Sequence, residues 1–282
     1  MMLAPLLLSI AAGAATVKAP DGVAIAYESH GSGETAIVLI HGWCCNRTYW
    51  NDTIGALSRD GRRIVAINLP GHGESGANRE KWTIEAFARD VKAVCDALEL
   101  KRIVLVGHSM GGPVSLLATP LMRGRVFAVV GVDTLHDAEL EMPKEMMAAI
   151  MASFERDFEA AIKGTVALMP AATPESVRTR IVESAVRSDR KAAIALFKDF
   201  PNLDAKALLQ GAQVPVRCVN AAPLPPMVPT TTIEKNRKYC DFDAVIIEGV
   251  GHFPMLEKPA EFNEKLEATI AHVERAAKKG SE

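Results

Sequence analysis

Apolar positions run along this chain in two patterns. "VAIAYESHGSG" alternates apolar and polar residues and then turns on Gly31 and Gly33, which predicts an antiparallel strand at a sheet edge. "TAIVLIHG" is a continuous apolar run, as expected of a strand covered on both faces. "RRIVAINLPG", "KRIVLVGHS", "VFAVVGVD", "VPVRCVNA" and "DAVIIEGVG" repeat it. Between them lie helical spacings. "TIEAFARDVKAVCDALEL" sets Phe87, Val91, Val94, Cys95 and Leu98 on one face behind Thr83 as N-cap, and "PAEFNEKLEATIAHVERAAKK" closes the chain as another helix. Buried strands alternating with helices predict an α/β fold, a doubly wound and mostly parallel sheet.

The alternation lapses over residues 134–213, where only helical segments appear, punctuated by Pro143, Pro170, Pro174 and Pro201. "MPKEMMAAIMASFERDFEAAIKGTVALM" places Met146, Met147, Ile150, Met151, Phe154, Phe158, Ile162 and Val166 on one helical face. Thr173 and Pro174 are expected to start a further helix, as N-cap and first residue, reaching Arg187. The interval reads as a helical lid inserted into a core of residues 16–133 and 214–282. Residues 1–15, "MMLAPLLLSIAAGAA", have the apolar run and small residues of a cleaved export signal, although no Lys or Arg precedes them. The run is too short for stable membrane insertion. A periplasmic or secreted protein is therefore the expectation if the segment is cleaved, and a cytoplasmic one otherwise.

Composition narrows the choice of partners. Lys and Arg total 32 against 34 Asp and Glu, a net charge of −2 that offers nothing to nucleic acid. Five cysteines lack metal-ligand spacing, and no nucleotide loop appears. No metal and no cofactor are expected, and the partner is a small molecule.

The chemistry sits at strand ends. Gly107-His108-Ser109-Met110-Gly111 is a G-x-S-x-G sequence between an apolar strand and a helix-compatible run. Its glycines give room for a strained turn presenting Ser109 as nucleophile, with the Met110 amide facing a developing oxyanion. His252 follows the last apolar strand in a Gly-rich loop and is the candidate base. "VLIHGWCCN" supplies the second oxyanion amide, from Trp43. His41, Cys44, His108, His136, Met146, Met147 and Phe253 are the expected pocket residues, His41 also as a residue that orders its loop.

"HGW", "NLPGHGES", "GHSMGG" and "GHFPMLEKP", in this order, resemble the α/β-hydrolase superfamily, and most of all its esterase, lactonase and carbon–carbon hydrolase branch with a helical cap. The resemblance implies a serine hydrolase acting on carboxylic esters. A carbon–carbon hydrolase or lactonase with the same residues is the alternative, as is a slow ligand-binding protein on the same fold. Relatives usually place the triad's acid after the strand "VPVRCVNA", but here Ala-Ala-Pro-Leu-Pro follows. Asp133, one strand earlier, is the candidate acid and keeps the chain order nucleophile, acid, base. A helix cap is the other reading of Asp133, and Asp137 or a water-bridged Glu248 are the other acids. The proline-rich loop would then be a stiff pocket wall.

Overall fold

The structure, a computed structural model, describes residues 15–58, 61–141, 143–170, 172–222 and 230–279. Its eight strands are β1 (Ala15–Lys18), β2 (Ala24–His30), β3 (Thr35–Ile40), β4 (Arg63–Ile67), β5 (Arg102–His108), β6 (Val126–Val132), β7 (Val216–Ala221) and β8 (Phe242–Ile247). They form one sheet in the order β1-β2-β4-β3-β5-β6-β7-β8. β2 pairs antiparallel with β1 and β4, and every pairing from β4 to β8 is parallel. The sheet edge expected at β2 belongs to β1, which was not foreseen. The export-signal segment and most of the proline-rich loop lie outside the described residues.

Period-two alternation divides each buried strand between two cores. Val38, Ile40, Val65, Ile67, Ile103 and Leu105 pack with α2 (Ile84–Ala97), α3 (Gly111–Leu121) and α8 (Ala205–Ala212). Ile37, Leu39, Ile64, Val104, Val106 and Val130 pack with α1 (Asn51–Leu57) and α11 (Pro259–Lys279) on the other face. Helices on both faces explain why these strands carry no polar alternation. The Thr83 side chain caps α2, accepting from the Ala86 amide at 3.1 Å.

Between β6 and β7 the chain runs through α4 (Lys144–Arg156), α5 (Phe158–Ala167), α6 (Glu175–Arg187), α7 (Arg190–Asp199) and α8. The apolar face expected to be continuous over 142–169 is cut in two. Asp157 takes an extended conformation, and its carboxylate caps α5 by accepting from the Ala160 amide. Phe154, Phe158, Ile162 and Val166 are buried, whereas Met146 is 52% exposed. Thr173 does not cap α6. Its hydroxyl donates to Glu257 at 2.8 Å, and Pro174 occupies the N-cap position. Among the described residues, four short elements complete the fold: α9 (Ile233–Asn236), α10 (Pro254–Glu257) and 3₁₀ turns at Arg47–Trp50 and Phe200–Asn202. No helix among the described residues is long and apolar enough to cross a membrane.

Candidate active site

Ser109 sits between the end of β5 and the start of α3 with φ +50°, in the left-handed region. Such backbone persists only where its surroundings over-determine it. The Ser109 amide donates to Val132 O at 3.0 Å, and the Ser109 carbonyl accepts from Gly112 N and the Thr134 hydroxyl. A Cβ on Gly107 would lie 2.1 Å from Gly111 O, and one on Gly111 would lie 2.5 Å from Ile40 O. Both collisions are with backbone, so side chains at either position would force the turn open. Gly107→Ala is expected to cost at least about 3 kcal/mol, the upper range for overpacking. Its urea midpoint and soluble yield check this; a midpoint equal to wild type would mean that the turn relaxes freely.

His252 extends from the loop after β8, and its Nδ1–H donates to Asp133 Oδ2 at 2.6 Å. Asp133 is 1% exposed, directly follows β6 and has φ +44°. Burial pushes its carboxyl up. The His252 hydrogen bond, the adjacent His252 and His136 charges and the Ala221 amide outweigh this and hold it below the ordinary carboxylate value. A buried carboxylate is tolerated because its oxygens are occupied. Oδ1 accepts from Ala221 N at 2.9 Å and lies 3.6 Å from His136 Nε2. Asp137 instead pairs with Lys235 at 2.7 Å, and Glu248 is exposed.

The strand that lacks the expected acid serves Asp133 in another way. Val219 O and Ala221 N of β7 bind its backbone amide and its carboxylate. Asn220 clamps the next residue, accepting from Thr134 N at 3.2 Å and donating to Thr134 O at 3.0 Å. It also donates to Thr231 Oγ1, which lies 3.0 Å from His136 Nδ1. Asn220 was not foreseen. The available signal was an amide side chain in an apolar strand, since a buried amide must be fully hydrogen-bonded.

Of the expected pocket residues, Cys44 and His108 are turned to other tasks, and His41 takes the loop-ordering one of its two expected roles. His41 is fully buried: Nδ1–H donates to Gly42 O and Nε2 accepts from Leu69 N, ordering the loop after β3. Cys44, with φ +58°, is 3% exposed and contributes backbone, its amide donating to His72 Nε2 and its carbonyl accepting from Ser184. Burial, and then the neighbouring Cys45, pushes the Cys44 thiol well up. His108 is 1% exposed and turns away from solvent to the His252 carbonyl. Met146 faces solvent, and Met147 is half-buried. His136 and Phe253 do lie beside the centre, the Phe253 ring 5.1 Å from that of His252.

The N–H groups of Trp43 and Met110 have no protein acceptor among the described residues. The helices after β6 grip the Trp43 loop. The indole Nε1–H donates to Ala193 O at 2.8 Å, and the ring packs against Phe154, Phe158 and Phe197. Ser184 ties down Cys44 O and accepts from Asn46. The Ser109 hydroxyl makes no hydrogen bond to a described residue. Such bonds are often long in free enzymes and shorten on binding.

Residues 37–265 match the model of the alpha/beta hydrolase family. The chain belongs to that family. Among solved structures it resembles a bromoperoxidase from Bacillus anthracis (TM-score 0.82, 22% identity, 92% of this chain and 100% of that one). An esterase from Exiguobacterium antarcticum is similar at TM-score 0.81 and 21% identity, over 92% of this chain and 98% of the other. At these identities the likeness is one of fold. A 100-residue stretch is 38% identical to the acetyltransferase component of the acetoin cleaving system of Pseudomonas putida, covering 36% of this chain and 27% of that protein.

Proposed function

We propose that this α/β hydrolase is a serine hydrolase that cleaves carboxylic esters through an acyl-enzyme. One observation carries the reading: His252 donates to a buried Asp133 at 2.6 Å, at the same sheet end as a serine on a strained strand-to-helix turn. With its Nδ1 proton held by Asp133, the imidazole keeps a bare Nε2 for the serine proton. Ser109 Oγ attacks the ester carbonyl as His252 takes its proton. The carbonyl oxygen becomes an oxyanion facing the Trp43 and Met110 amides, which have no acceptor among the described residues. Its collapse breaks the carbon–oxygen bond, and His252 returns the proton to the departing alcohol. Water then attacks the acyl-enzyme with His252 again as base, releasing the acid and restoring Ser109. Met147, His136 and Phe253 border the acyl or alcohol side, beneath a cap formed by the helices between β6 and α8.

Wild type is expected to turn over p-nitrophenyl butyrate repeatedly, with Ser109→Ala at the uncatalysed background. A fluorophosphonate probe should label Ser109 stoichiometrically. Failure of wild type both to hydrolyse the ester and to be labelled would remove the proposal.

A further inference from the structure

His108 lies outside the reaction scheme above, yet it is bonded to both reacting residues, by peptide bond to one and by hydrogen bond to the other. Ser109 follows it directly in the chain. Its Nε2 lies 2.8 Å from the backbone carbonyl of His252. A carbonyl only accepts, so Nε2 carries the proton and the ring is the neutral Nε2–H tautomer. The ring is fixed on its other sides. Trp50 meets it edge-on at 6.5 Å, Phe253 lies at 5.1 Å, and Gly42 approaches Nδ1 so closely that a Cβ on Gly42 would stand 2.7 Å away. Burial, followed by repulsion from His252, pushes the imidazole down to about 3, so it stays neutral over the working range.

The loop carrying His252 is also attached elsewhere, Lys258 Nζ donating to Glu248 O at its start. The amides of Gly251 and Phe253 donate to the Glu257 carboxylate at 2.9 and 3.0 Å, and the His252 side chain reaches Asp133. The Glu257 attachment does not reach the nucleophile, and the Asp133 attachment reaches it through the imidazole side chain alone, since Val132 and Thr134 on either side of Asp133 bond to Ser109. Among the described residues, only the His108 bond links the backbone of the base to the strand end from which Ser109 projects.

We propose that His108 is a positioning residue that sets the spacing between Ser109 and His252 by holding the His252 carbonyl to the nucleophile turn. The assignment rests on the serine-hydrolase reading of the site. Losing the bond should let the base loop drift from the serine while the substrate pocket keeps its walls. The loss therefore falls on the chemical step rather than on binding.

Three substitutions separate this role from simple packing. His108→Leu keeps the bulk without the donor, His108→Asn carries an amide too short to reach, and His108→Gln puts an amide N–H within reach of the same carbonyl. Leu and Asn are expected to slow fluorophosphonate labelling of Ser109 and lower kcat by tenfold or more, roughly what sub-ångström to ångström misplacement costs, with KM within about threefold. Gln is expected to recover most of both rates. If Leu fails to fold, the Asn and Gln pair alone decides. Equal labelling rates for Asn and Gln, or a Leu variant as fast as wild type, overturn the positioning role. An unlabelled wild type would instead remove the serine-hydrolase reading itself.

Discussion

Asp133→Asn is expected to lower kcat for p-nitrophenyl butyrate by about three to four orders of magnitude with the fold intact, as loss of the triad acid does in serine proteases. Asn suits this position unusually well, because it tolerates the left-handed backbone that Asp133 adopts at φ +44°. The Ala221 amide then decides which way the new side chain turns. It donates to Oδ1, so the Asn oxygen must stay there and the Asn NH₂ replaces Oδ2 opposite His252. An NH₂ cannot face an Nδ1–H. The imidazole therefore shifts its proton to Nε2, leaving no lone pair for the serine proton. Asp137→Asn, which breaks a salt bridge to Lys235 away from His252, should stay within about twofold of wild type. If Asp133→Asn retained more than about a tenth of wild-type kcat, the acid would lie elsewhere.

The legible parts of this site were those encoded within a few consecutive residues. The strand–Gly-x-Ser-x-Gly–helix sequence placed Ser109, and a Gly-rich loop after the last apolar strand placed His252. Asp133 was reachable only with the family resemblance, which implies an acid at a neighbouring strand end, and a carboxylate ending the run "VFAVVGV" needs a partner. Orientation was not legible. Whether His41, Cys44 and His108 line a pocket or turn inward is fixed by partners far along the chain: Leu69 for His41, Ser184 for Cys44 and His252 for His108. Asn220 and Ser184 escaped for the same reason, since their roles exist only once β7 and the helices after β6 are docked. In the fold, the parallel strands announced themselves as unbroken apolar runs. β1 did not, because only Val17 in "ATVK" is strongly apolar and the strand is largely exposed. The break at Asp157 was hidden by an apolar periodicity that continues across it, while the local competition between capping and helix continuation was won by the carboxylate.

Acidification from pH 7 to pH 5 is expected to remove about 5 kcal/mol of folding stability, mainly through three buried histidines each worth about 1.4 kcal/mol per pH unit. Burial pushes all three down: His72 to about 4, His108 to about 3 and His41 well below its ordinary value. His41 and His72 stand 5.0 Å apart, so a charge on one opposes a charge on the other. Hydrogen bonding acts in the same direction. The bare Nε2 of His41 accepts from Leu69 N, and that of His72 accepts from Cys44 N, so protonation would set N–H against N–H. In the unfolded chain the same side chains titrate near 6.5. Below that value the unfolded state binds protons that the folded state refuses. Stability thus falls as pH drops through 6.5 toward 4 and is fully present above 6.5. Asp133, held low, adds a loss in the same sense only at still lower pH, and Asp90, raised by burial, opposes it only in the acid range of carboxylates. The melting temperature should fall by roughly 10 °C between pH 7 and pH 5 for a chain of this size. His72→Gln, which retains an acceptor for Cys44 N without a titrating group, should remove about a third of the slope. A melting temperature that is flat over this interval would show that the folded protein accommodates the charged imidazoles.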